Sequence, residues 1–142
     1  MSIQAILLPM FVQVGLTFVL LFWMAALRHR ALRSGEVDPH KVRLREPNWP
    51  PRVTQIANAF HNQLELPTLF YVVVLLALIT ETLDVVLLVL SWMFVLARLV
   101  HAYIHVTSNR LDRRTGIFSV SVTALFLMWV IVIARFLLQA VS

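Results

Sequence analysis

Four apolar runs, each long enough to cross a bilayer, dominate this chain. The first runs from Ile3 to Leu27 without one charged side chain. Crossing the hydrocarbon takes about 20 predominantly apolar residues in a helix. The spans predicted are 3–27, 52–80, 84–104 and 116–138, with a cytoplasmic loop over 28–51. Composition agrees: 60% of residues are hydrophobic and 13% charged, where a soluble domain has about a quarter charged. The expected fold is one all-α integral membrane domain, 1–142, built as a four-helix bundle.

The net charge of +5 is distributed as a topology signal. Arg28, Arg30, Arg33, Lys41, Arg43, Arg45 and Arg52 lie between the first two runs, and Arg110, Arg113 and Arg114 between the last two. The intervening connection carries only Glu81 and Asp84. Under the positive-inside rule both basic loops face the cytoplasm and both termini the opposite side. A nucleic-acid surface is not expected, because the charges fall where orientation requires them. The first run has no Lys or Arg before it and is too long for a signal peptide, so it should remain as an anchor. Many arginines beside a single lysine, Lys41, suit a GC-rich bacterium, so a multi-pass protein of the bacterial inner membrane is expected.

Punctuation refines the elements. Gly35, Pro39, Pro47, Pro50 and Pro51 mark the first loop, and Pro51 can open the second helix. Pro67 lies inside the second run and should kink it, freeing the carbonyl of Gln63. Asp84 suits the N-terminus of the third helix. Gly116, Ser119 and Thr123 form a small-residue stripe suited to close helix contact. Arg135 reads as an anchor snorkelling to the interface.

Two polar stripes interrupt the apolar pattern. NAFHNQLELP holds Asn58, Asn62 and Glu65 within about 60° on one helix face, with His61 beside them. RLVHAYIH puts Arg98, His101 and His105 on one face of the third helix. An ionisable group at the centre of a spanning helix costs about 2.5–3.5 kcal/mol on insertion scales. Glu65 and Arg98 should therefore turn inward and find partners, each other included. Two such stripes at one depth would form a polar cleft open to the cytosol. A plainer alternative makes Glu65 and Arg98 one structural ion pair and leaves the amides wetted above the bilayer. A third uses His61, His101 and His105 for a metal or haem, since i, i+4 pairs can share one ion. The chain has no cysteine, so disulfides and thiolate metal sites are excluded, and any thiol must come with a ligand.

Taken together these motifs resemble the MAPEG family, the membrane-associated proteins of eicosanoid and glutathione metabolism, in a bacterial-type form. The family's second helix carries R-A-x-x-N-x-x-E followed by Pro; here Asn62 and Glu65 match, and Asn58 stands in place of the Arg. On the third helix Arg98 and His101 match, and His105 replaces a usual Tyr. In DRRTG, Arg113 or Arg114 takes the place of the arginine that assists thiol chemistry, and Phe118 stands where one branch has Tyr. Arg28 matches a basic residue ending the first helix. The resemblance implies a homotrimer with glutathione bound between subunits by Arg28, Asn58, Asn62, Glu65, Arg98, His101 and His105, with Arg113 or Arg114 catalytic. It implies a glutathione-dependent transferase or peroxidase acting on a lipophilic small molecule. A non-catalytic structural or accessory subunit of a membrane complex is the alternative.

Overall fold

The computed structural model describes residues 2–43 and 48–139; the loop residues Arg45 and Pro47 lie outside them. Five helices follow one another: α1 (Ile3–Arg33), α2 (Pro51–His61), α3 (Leu66–Ile79), α4 (Val85–Val106) and α5 (Leu111–Gln139). A short 3₁₀ turn, Pro39–Val42, lies in the first loop. Four segments are long and apolar enough to cross a membrane: α1, α2 with α3, α4 and α5. The described structure is thus an all-helical bundle of four crossings.

Local chemistry sets the helix ends. Ser2 caps α1 by accepting from the Ala5 N–H, and Asp84 caps α4 by accepting from the Leu87 N–H at 2.9 Å. α1 ends at Ser34, and Gly35 then takes φ +71°, a conformation that only glycine adopts without steric cost. With 31 residues, α1 is about 46 Å long at 1.5 Å per residue, so it extends well beyond the hydrocarbon.

The second crossing departs from expectation. Instead of one helix kinked at Pro67, it is two helices separated by a break over 62–65. Pro67 sits in the first turn of α3, where its missing N–H costs nothing. The chain before it closes in tight turns, Gln63 N–H to Phe60 O at 2.8 Å and Leu64 N–H to His61 O at 2.9 Å. Pro67 has no N–H to donate to the Gln63 carbonyl and its ring crowds the preceding turn, which favours the break, and the break concentrates polar backbone at the level of the two stripes.

α4 is the most buried element and packs against α1, α2 and most extensively against α5. One core joins Phe70, Val73, Val74, Phe94, Leu125 and Met128, with the Phe70 and Phe94 rings stacked at 4.5 Å. A second, nearer the basic end, joins Leu20, Met24, Ile56, Ala59 and Ala102. Large apolar side chains such as Phe11, Phe22, Val89, Phe126 and Ile133 point outward, as a lipid-facing surface requires. Arg135 is not a free snorkelling anchor. Its guanidinium donates to the Thr82 carbonyl at 2.7 Å and pairs with Asp84, tying the end of α5 to the α3–α4 connection. That hydrogen bond holds the Asp84 carboxyl below the usual aspartate range.

Candidate functional site

At the basic end of the bundle, the α2–α3 break lies against the C-terminal turns of α4 and the start of α5. A cleft of about 180 Å³ opens between them, lined by Asn62, Glu65, His101, Arg114, Thr115 and Phe118. The break places Asn62 and Glu65, α4 contributes His101, and α5 contributes Arg114, Thr115 and Phe118. A carboxylate, a guanidinium, an imidazole, an amide and a hydroxyl thus surround one space backed by an aromatic ring.

Arg98 lies behind this wall, fully buried, rather than in it. It does not pair with Glu65, which is exposed. Its Nη2 donates to the Asn62 carbonyl at 2.7 Å, to Asn62 Oδ1 at 3.3 Å and to Gln63 Oε1 at 3.2 Å. The guanidinium therefore caps the C-terminal end of α2, where carbonyls have lost helical partners and the helix dipole is negative. Helix α2 in turn holds the C-terminal end of α4. Arg52 Nη1 donates to the Val106 carbonyl, and Gln55 Nε2 to the His105 carbonyl at 2.7 Å.

The remaining expected residues are dispersed. His105 is buried one turn beyond His101, their rings 5.9 Å apart and edge-on. Asn58 is exposed one turn before the break, and Arg113 is exposed beside Arg114. Of the two candidate arginines, only Arg114 lines the cleft, steadied by donating to Asn109 Oδ1 at 2.7 Å. Arg28 stacks over the Trp49 ring at 5.1 Å, joining α1 to the first loop. The metal alternative finds no ligand set. Among the described residues no group of three His, Asp or Glu side chains could hold an ion, and His61 lies exposed on α2.

Two buried amides escaped the sequence reading. Gln13 on α1 and Gln63 in the break are 0% and 1% exposed, and Gln13 Nε2 donates to Gln63 Oε1 at 3.0 Å. The signal was present: Gln13 is an amide deep within an otherwise apolar run, where hydrocarbon gives it no partner.

The MAPEG family model matches residues 6–134, nearly the whole chain. This chain belongs to the MAPEG family. No curated protein and no solved structure matches it. MAPEG proteins commonly bind glutathione and include glutathione-dependent transferases among other activities. In this MAPEG protein the residues matching the family's Asn, Glu and His (Asn62, Glu65 and His101) share one cleft with Arg114. Asn58, where the family's Arg is usual, stands outside it.

Proposed function

We propose that the cleft binds glutathione and that the protein is a glutathione-dependent transferase or peroxidase acting on a lipophilic substrate. The supporting observation is the convergence of Asn62, Glu65, His101 and Arg114 on one space in a MAPEG chain. Glutathione carries two carboxylates and an ammonium. Glu65 suits the ammonium, and Arg114 suits an anion, whether a carboxylate or the thiolate itself. A guanidinium beside a thiol favours its ionised form, which is the nucleophile. Asn62 and Thr115 add neutral hydrogen bonds, and the His101 imidazole can donate or accept one. A lipophilic partner would reach the thiolate from the bilayer, along the outward apolar faces of α4 and α5.

The working form in this reading is a homotrimer with the cleft shared between copies. Sites that enclose a ligand of glutathione's size span about 300–1,000 Å³, larger than the 180 Å³ of this cleft. Asn58, His61 and Glu65 are exposed along a membrane-crossing segment, where a neighbouring subunit would cover them better than lipid. The basic end faces the cytoplasm and both termini lie opposite.

The test is thermal unfolding in mild detergent with reduced glutathione. A ligand of the folded state must raise the melting temperature, and a rise at millimolar glutathione that disappears in Glu65→Gln supports the reading. No rise in the wild type, and none after Asn58→Arg, would overturn it and favour the accessory-subunit alternative.

A further inference from the structure

We infer that Gln13, a buried amide on α1 remote from the cleft lining, is a positioning residue for it, acting through Gln63 and Arg98 on the broken end of α2. The hydrogen-bond chain has a single consistent direction. The Ala59 carbonyl can only accept, so the amide nitrogen of Gln63 faces it, at 3.1 Å. The Gln63 oxygen must then face the other way. There it accepts from Arg98 Nη2 at 3.2 Å, and a guanidinium can only donate. Gln13 consequently presents its NH₂, at 3.0 Å from the same oxygen. Two donors from two helices converge on one acceptor.

The consequence lies at the break. With its nitrogen tied to the last turn of α2 and its oxygen held by Gln13, the Gln63 side chain has one orientation, and that orientation locates Arg98. Arg98 in turn holds the Asn62 carbonyl at 2.7 Å. Asn62 and Glu65, at the two ends of the break, both line the cleft. None of Gln13, Gln63 and Arg98 lines it, and all three are at least 99% buried. Without Gln13, the Gln63 oxygen keeps one donor and gains freedom to turn, and the break loosens with it. The effect on glutathione rests on the cleft reading proposed above, whereas the effect on the break does not.

The test separates the two. In Gln63→Met the shared acceptor is absent, so Gln13 has nothing to donate to and cannot act on Arg98. Backbone hydrogen exchange is measured on the purified, detergent-solubilised protein. In the native background Gln13→Leu should speed exchange over residues 62–66 by about tenfold, the size of one lost hydrogen bond, and leave α5 unchanged. In the Gln63→Met background the same substitution should change it by less than about twofold. Affinity for reduced glutathione should follow the same pattern. An equal effect in both backgrounds, or acceleration spread through the bundle, would reduce Gln13 to packing and overturn the inference; so would no effect at all. If the wild type binds no glutathione, the cleft reading fails while the exchange result still decides this one. Should Gln13→Leu fail to fold, Gln13→Asn, one methylene too short to reach Gln63, is measured in the same two backgrounds.

Discussion

Arg98 shows how burial changes the meaning of a charged residue. Its position among the stripes suggested a ligand contact, yet it is spent on the carbonyl and amide oxygens of Asn62 and Gln63. Arg98→Met, similar in length and apolar, should therefore destabilise the protein by about 1.5–3 kcal/mol, the loss expected when a charged donor leaves a buried acceptor. Thermal unfolding without ligand checks this. Glu65 should behave in the opposite way, because it is exposed and lines the cleft. Glu65→Gln should leave stability nearly unchanged and weaken glutathione binding by more than about tenfold, while Arg43→Ala should do neither. Calorimetric titration distinguishes the three. Arg114→Ala should reduce the thiolate absorbance of bound glutathione more than it reduces affinity, since the guanidinium acts on the ionised thiol.

At the scale of elements, the bundle is tied at both ends by side chains that close neighbouring helix termini. Arg52 and Gln55 satisfy the last carbonyls of α4 at the basic end. At the opposite end, Asp84 caps α4 with one oxygen and pairs with Arg135 of α5 through the other. A carboxylate whose pKa is depressed on folding contributes stability that is complete above its unfolded pKa and is lost as pH falls through the folded one. Asp84 meets that condition. The melting temperature should hold steady above about pH 5 and fall below about pH 4, where aspartate titrates. Asp84→Asn should be less stable at pH 7 and lose less on acidification. An acid limb identical to that of the wild type would remove Asp84 from the account.

For the whole molecule, the predictions concern orientation and assembly. The chain has no native cysteine, so single cysteines report cleanly. Ser34→Cys should resist an impermeant maleimide added to intact cells, and Ser2→Cys should react; the reverse would invert the topology. Native mass spectrometry in mild detergent should give three copies of the chain or a stable complex with other subunits. A folded monomer would leave Asn58, His61 and Glu65 facing detergent and would dismiss the shared cleft.

The four apolar segments, the helical class and the meeting of the two polar stripes at one level were legible in the sequence, because each depends on local quantities. Twenty apolar residues must form a helix in lipid, whatever surrounds them, and 100° per residue places Arg98 with His101 on one face of α4. Asn62 and Glu65 do not share a helix face as expected, and reach the cleft from the break between α2 and α3. The family motif was equally legible, since it is a spacing. Partner choice was not. Whether Arg98 meets Glu65 or the Asn62 carbonyl, whether Pro67 bends the helix or divides it, and whether Arg135 snorkels or binds Asp84 depend on which groups packing brings within about 3 Å. The Gln13–Gln63 bond joins residues fifty positions apart. A donor in hydrocarbon must find an acceptor, and only the packed bundle determines which acceptor lies within reach.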